Sequence, residues 1–279
     1  DFGGTEAYVP MNFDRRFHGP VRLRVALASS LNVPAVYMAE RLGVNNFTDF
    51  LIKLGFASLE GQRGSLGTGL ALGNAEVSLY EMTQGFSVFP RGGGFLNLSY
   101  RKAERGAKSE EKPVMRPYTA AIICSILSDS GARWLGFGRG SAFRTTFPVM
   151  FKTGTANQFQ EIWALGATPD YAAGVWMGNF SGKTVIGRTG SSIPAAVVRE
   201  ALSLVRREGL EFPSLSGAEK VSICTLSGGL ATDLCPSTAI EYLPKGTKLD
   251  PCGYHRLVNG KLAVAYPAEF ASWCSLKNR

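Results

Sequence analysis

The stretch FPVMFKTGTANQFQEIWALGATPDYAAGVWM, running from Phe147 to Met177, decides the fold class. Its period-two alternation predicts one strand over 147–156 and two more over 162–167 and 171–177. Thr168-Pro169-Asp170 has turn chemistry, so the last two strands are expected to form an antiparallel hairpin. Upstream the apolar period is helical. Short helices are predicted over Val21–Ser29 and Val33–Leu42, the second with Ala35, Ala39 and Leu42 on one face. Pro34 is expected to bias Val33 away from helical geometry and break the chain there. Phe47, Phe50, Leu51 and Leu54 mark a third helix, with Asn45 or Asn46 as its cap and Gly55 as its end. Further helices are expected over Glu76–Phe89, Arg116–Ser128 and, after the hairpin, Ser192–Arg207, whereas the charged run Arg101–Lys112 reads as a surface loop. Helices followed by an antiparallel meander make the fold class α+β.

Working outward, the 279 residues suffice for one domain plus an appendage, and 45% hydrophobic against 19% charged residues excludes a disordered chain. The 33 glycines exceed the roughly 20 of average usage but follow no third-position repeat, so collagen is excluded as well. The longest apolar stretch, near Ala120 to Leu127, is far short of the roughly 20 residues a membrane helix requires. The chain begins with Asp1 and an extended-looking DFGGTEAYVPMNFD, from which the expectation is a piece of something longer. Composition turns to Pro, Ser, Gly and Cys near Phe212, giving a predicted division into 1–212 and a Cys-rich 213–279. The net charge of +8 suits an anionic wall polymer or membrane surface; no nucleic-acid motif accompanies it.

Cys124 stands alone in an apolar helical pattern and is expected to stay reduced, whereas Cys224, Cys235, Cys252 and Cys274 crowd the end of the chain. Four such cysteines are disulfide candidates and imply an oxidising compartment; local pairing would join Cys224 to Cys235 and Cys252 to Cys274. The rival is a metal site, since Cys252 and His255 are spaced C-x2-H, but Cys224 and Cys235 lack the short knuckle usual for structural zinc. Disulfides are the expectation, and no metal or cofactor is predicted.

Two motifs carry chemistry. Ser30-Leu31-Asn32 lies between two helical patterns, where Ser and Asn two apart can aim into one cleft, although helix capping is the blander use of such residues. Lys152-Thr153-Gly154-Thr155 lies in the first predicted strand. Alternation puts the two Thr hydroxyls on one face and Lys152 on the other, and Gly154 lets a substrate backbone lie against the strand. Such an edge can bind a carboxylate. Alone, it could equally be an edge strand guarded by a lysine.

Together, S-x-N and K-T-G-T about 120 residues apart match the signature of penicillin-binding proteins and β-lactamases. The stretches Asn12–Val36, Leu70–Met82 and Phe151–Asn179 resemble the transpeptidase domain of class A penicillin-binding proteins, and Val221–Pro236 with Leu243–His255 resemble the extension after it. The resemblance implies the penicillin-binding protein/β-lactamase-like transpeptidase fold, an antiparallel sheet with helices and a helical subdomain. It further implies D,D-transpeptidase activity on D-Ala-D-Ala stem peptides through an acyl-enzyme. Ser30 would relay a proton towards the leaving amine, Asn32 would hold a substrate amide and Lys152 would add positive charge. Thr153 and Thr155 would bind the terminal carboxylate beside Gly154, and the Thr155 N–H would face the oxyanion. Implied partners are peptidoglycan stem peptides, β-lactams as inhibitors, and an upstream glycosyltransferase domain with a membrane anchor; nucleic acid is not among them. The implied location is the extracytoplasmic, periplasmic face of the bacterial inner membrane.

The family's nucleophilic serine, in S-x-x-K, comes before S-x-N, and the 29 residues preceding Ser30 contain no such pattern. The chain is therefore expected to lack the nucleophile. Ser99-Tyr100-Arg101-Lys102 and Ser109-Glu110-Glu111-Lys112 fit the string but lie at the charged loop, with no apolar helix to lower the lysine pKa, and are rejected. A D,D-carboxypeptidase or β-lactamase-like hydrolase and a non-catalytic peptidoglycan- or partner-binding module are the alternatives. His18 is expected to be structural, Trp163 and Trp176 to pack across adjacent strands, and Glu81 to face solvent.

Overall fold

The computed structural model describes residues 9–99, 110–138, 143–155, 160–185 and 193–277. Its elements in chain order are α1 (Leu23–Ala28), α2 (Asn32–Leu42), α3 (Val44–Lys53), α4 (Leu79–Phe86), β1 (Gly94–Phe95), β2 (Lys112–Pro113), α5 (Pro117–Ser128) and α6 (Trp134–Phe137). They continue with β3 (Met150–Thr155), β4 (Glu161–Ala167), β5 (Ala172–Gly178), α7 (Ile193–Val205), β6 (Ala218–Cys224), β7 (Thr238–Pro244), β8 (His255–Val258), β9 (Lys261–Val264) and α8 (Ala271–Lys277). Helices and an antiparallel sheet make an α+β fold.

The centre is the antiparallel sheet β3-β4-β5, with Lys152 opposite Leu165, Gly154 opposite Trp163, and Trp163 opposite Trp176. The turn between β4 and β5 is closed by Thr168, whose hydroxyl donates to Asp170 and accepts from the Tyr171 N–H. Alternation divides the sheet's side chains between two cores. Phe151 and Ala164 pack with Ala195, Val198 and Leu202 of α7. Met150, Leu165 and Ala167 pack with Phe86 of α4 and Cys124 and Leu127 of α5. Burying each such Leu, Met or Phe stabilises the fold by about 1.5–3 kcal/mol, which is what holds β3 against its helices. Trp163 and Trp176 meet edge to face with ring centroids 6.4 Å apart, as cross-strand packing requires.

Three local expectations are corrected. Pro34 does not break the chain at Val33, because α2 begins at Asn32 and Pro34 falls in its first turn, where a missing N–H costs nothing. The break lies at Ser30. The third helix starts after Gly43, not at an asparagine cap, and the Asn46 amide instead donates back to the Leu42 carbonyl. The helix expected from Glu76 starts only at Leu79. Ser78 and Glu81 form a reciprocal capping box there, so Glu81 is buried instead of facing solvent, and it also accepts from the N–H and hydroxyl of Ser58.

After α7 the chain forms two two-stranded antiparallel sheets, β6-β7 and β8-β9, and the short α8. Arg24 of α1 grips Glu241 of β7 through Nε–Oε1 at 2.8 Å and Nη2–Oε2 at 3.0 Å, and the Tyr118 hydroxyl donates to the Tyr242 carbonyl at 2.7 Å. A forked arginine–carboxylate pair of this kind supplies geometric specificity as well as energy. Among the described residues no helix is long and apolar enough to cross a membrane.

Cys124 is buried and its thiol is pushed up to about 12 by that burial, so it is an inert core residue. The structure draws no disulfide between Cys224, Cys235, Cys252 and Cys274, against the expected local pairing. Cys224, Cys235 and Cys252 instead converge on His255, while Cys274 lies on α8 outside that group. The spacing argument looked for a short knuckle, whereas these sulfur and nitrogen atoms come from three separate stretches of chain, at Cys224, Cys235 and Cys252–His255, brought together by the fold.

Candidate active site

Ser30 sits at the end of α1 in a conformation unusual for its residue type. Ser29 is the C-cap, the Ser30 N–H donates to the Leu27 carbonyl at 3.1 Å, and the Leu31 N–H donates to the Ala26 carbonyl at 2.9 Å. This is the Schellman pattern, with Ser30 in the position that glycine normally fills. Its φ is +57°, in the left-handed region, which costs a residue with a Cβ on the order of 1–2 kcal/mol. Non-glycine residues in this region cluster at functional sites.

The Ser30 hydroxyl meets Lys152. Lys152 Nζ donates to Ser30 Oγ at 2.6 Å and to the Thr153 carbonyl at 2.6 Å. Phe137, Phe143, Phe151 and Arg133 line a cavity of about 10 Å³ together with Ser30, Lys152 and Thr153. Burial in this largely apolar setting pushes Lys152 down to about 8, and the neighbouring Arg133 guanidinium pushes it the same way. A lysine poised there exchanges protons near neutral pH.

Arg133 was not anticipated from the sequence. It is buried, donates to the Leu127 carbonyl, and lies over the rings of Phe143 and Phe151 at 5.1 and 5.8 Å. Burial lowers it to about 10. Asp129 accepts the N–H groups of Gly131 and Ala132 at 2.9 and 3.0 Å, and the Ser29 hydroxyl donates to the Ala132 carbonyl at 2.9 Å. The segment carrying Arg133 is thereby tied to the turn carrying Ser30. Gly136 completes this contact: a Cβ there would lie 2.2 Å from the Ser29 carbonyl oxygen, so only glycine permits α6 to approach the turn. The signal for Arg133 was a cation in an otherwise apolar stretch, Ala132 to Phe137, but nothing local pairs it with Lys152.

The other expected site residues are placed as follows. β3 is an edge of its sheet, so one side of Lys152-Thr153-Gly154-Thr155 is unpaired within it. Thr153 is buried at the cavity and Thr155 is exposed at the strand's end. A Cβ on Gly154 would meet only the Trp163 side chain at 3.5 Å, an ordinary contact, so packing alone does not demand glycine there. Asn32 opens α2 beside Ser30, and its amide donates to the Met11 carbonyl at 2.9 Å; no hydrogen bond joins it to Ser30 or Lys152. His18 is held 3.1 Å from Asp14 in the segment before α1, consistent with a structural part. Ser99 is described and exposed, whereas Lys102 and Ser109 of the rejected S-x-x-K strings lie outside the described residues.

Residues 3–203 match the family described as penicillin binding protein transpeptidase domain. Penicillin-binding protein 1C of Escherichia coli K12 is 29% identical over 209 residues, covering 75% of this chain and 26% of the relative. The chain thus spans about a quarter of that relative's length. The crystal structure of penicillin-binding protein 1A from Haemophilus influenzae superposes with a TM-score of 0.72 at 23% identity, covering 90% of this chain and 44% of that one. Penicillin-binding protein A from Mycobacterium tuberculosis, solved as an imipenem acyl-enzyme complex, gives 0.55 at 16% identity, covering 72% and 52%.

Proposed function

The chain belongs to the penicillin-binding protein transpeptidase family, and from that premise we propose that Ser30, Asn32 and Lys152-Thr153-Gly154-Thr155 form one wall of a D,D-transpeptidase site that cross-links peptidoglycan. The observation that carries this reading is the 2.6 Å hydrogen bond from Lys152 Nζ to Ser30 Oγ, which unites the two family motifs across 122 residues.

The reaction divides into two steps. A nucleophilic serine, which in the family precedes S-x-N in an S-x-x-K and is not among the residues described, attacks the carbonyl carbon between the two terminal D-alanines. Its proton passes to the adjacent lysine. The C–N bond breaks, the leaving amine takes a proton, and an ester remains. An amine of a second strand then attacks the ester, the C–O bond breaks, and the serine hydroxyl is restored.

This chain's part is to deliver the proton and hold the substrate. Because Ser30 Oγ accepts from Lys152, its own O–H is aimed elsewhere, and a leaving amine beside Ser30 is positioned to receive it. The Lys152 ammonium, near pKa 8, can then replace that proton. Thr155 on the open edge, with Thr153 behind it, binds the terminal carboxylate, and Asn32 exchanges its Met11 partner for a substrate carbonyl. β-Lactams enter the same site as inhibitors. A glycosyltransferase domain and membrane anchor in the same protein, and a place outside the cytoplasmic membrane, complete the reading; the +8 charge suits an anionic wall.

The test is a product analysis on the full-length protein with a stem pentapeptide donor and an amine acceptor. Release of D-alanine with formation of a new amide between donor and acceptor supports transpeptidation. Release of D-alanine with only the shortened tetrapeptide would indicate a carboxypeptidase, and no release would leave a binding module.

A further inference from the structure

The segment after α7 has an interior unlike the rest of the molecule. Among the described residues 213–276, the buried ones are Ile223, Cys224, Cys252 and His255. Three of those four carry metal-binding atoms, and the fourth ligand-type residue nearby, Cys235, is half-buried. The sulfurs of Cys224, Cys235 and Cys252 and an imidazole nitrogen of His255 all lie within 4.8 Å of one another. We propose that these four residues bind one zinc ion as a tetrahedral structural centre that supplies the core this segment otherwise lacks.

The distances argue for it. A tetrahedral zinc site with Zn–S of about 2.3 Å and Zn–N of about 2.0–2.1 Å has ligand-to-ligand edges of about 3.5–3.8 Å. His255 Nδ1 lies 3.5 Å from Cys224 Sγ and 3.4 Å from Cys252 Sγ, which are such edges. Even a tetrahedron with every edge at the 4.8 Å limit would close on zinc by moving each sulfur about 0.6 Å and the nitrogen about 0.9 Å inward. A disulfide is a worse fit. It would need one pair at about 2.05 Å and would strand the third sulfur and the imidazole in the same buried space.

A second shell is present at Cys235, whose Sγ accepts the Thr232 N–H at 3.3 Å and lies 3.4 Å from the Thr232 hydroxyl. The backbone holds the ligand loops in place: Cys224 N–H donates to the Gly229 carbonyl at 2.8 Å, and Cys252 N–H to the Leu230 carbonyl at 2.8 Å. Leu230 therefore pairs with both cysteine-bearing segments. Three thiolates and one imidazole make a soft, closed donor set of the kind structural zinc takes, with no position left open for substrate.

The segment is also too thin to fold on apolar burial. Ile240, Leu257, Val258, Leu262 and Val264 of its strands are exposed, so two-stranded sheets are left to stand with almost no hydrophobic interior. A metal coupled to folding replaces that interior.

The experiment is X-ray absorption and elemental analysis of the full-length protein purified under reducing conditions and supplied with zinc alone. One zinc per chain with three sulfurs at about 2.3 Å and one nitrogen at about 2.0 Å is expected. Cys235→Ser should weaken zinc binding by roughly 100-fold or more, and Cys274→Ser should leave it unchanged. No bound zinc in the wild-type protein, a shell of oxygen and nitrogen only, or a disulfide between any two of Cys224, Cys235 and Cys252 would overturn the proposal. The wild-type measurement decides the matter even if Cys235→Ser fails to fold.

Discussion

Lys152 Nζ lies 2.6 Å from Ser30 Oγ, joining an edge strand to a helix-ending turn 122 residues earlier. Neither side of this contact is cheap. Ser30 holds a left-handed backbone and Lys152 an ammonium in largely apolar surroundings, so each motif carries a cost that the fold alone does not require.

Replacing Ser30 by glycine separates stability from function. Ser30→Gly removes the left-handed penalty, and a gain of about 1 kcal/mol, or roughly 2–4 °C in melting temperature, is expected. The same change removes the hydroxyl, so β-lactam acylation of the full-length protein should fall at least tenfold. Thermal unfolding beside acylation rates checks both; a destabilised variant would mean that the turn does not strain Ser30.

The Lys152 environment predicts a pH dependence of stability. With its folded pKa depressed from 10.5 to about 8, the unfolded chain binds more protons between those values. Stability from this group therefore rises with pH across the window and is flat below it. Lys152→Met, which has no charge to bury, should be more stable than wild type at neutral pH, with the advantage shrinking towards pH 10.5. Urea unfolding of both proteins across that range gives the answer, and parallel curves would refute it.

Arg133 should tune Lys152. Removing its guanidinium by Arg133→Gln lifts one of the two influences lowering the lysine pKa, so the pH–rate profile for acylation should move to higher pH. Arg133→Lys keeps a charge and should restore the profile part-way. A loss of rate without a shift of profile would make Arg133 only a packing residue.

Gly154→Ala should fold normally, because the added Cβ meets Trp163 at 3.5 Å, an ordinary distance. The methyl group projects from the sheet face beside Trp163 and crowds a substrate backbone laid along the adjoining open edge, so acylation should drop roughly tenfold with melting within about 1 °C. An unchanged rate would show that no ligand uses this edge.

The sheet was legible in the sequence because its signals are local. Alternation across 147–177 and the Thr168-Pro169-Asp170 turn gave β4 and β5 almost to the residue, and K-T-G-T fell on β3 as expected. Helix starts were less legible where side chains act across the turn: the Ser78–Glu81 capping box cut the fourth helix to Leu79. What could not be read was long-range. Arg133 beside Lys152, Glu241 under Arg24, and the convergence of Cys224, Cys235 and Cys252 on His255 depend on tertiary packing, for which sequence spacing is no guide. The cysteines were the hardest to read because disulfides and metal ligands draw on the same residues, and spacing along the sequence does not distinguish them.

The central claim is that Lys152 acts within a β-lactam-reactive site, and the acylation rate of Lys152→Ala in the full-length protein, measured with a fluorescent penicillin, tests it most directly. Loss of roughly 3 kcal/mol of transition-state stabilisation predicts a fall of more than 100-fold in a variant that melts at or above the wild-type temperature. Acylation at the wild-type rate by a folded Lys152→Ala protein would contradict the account.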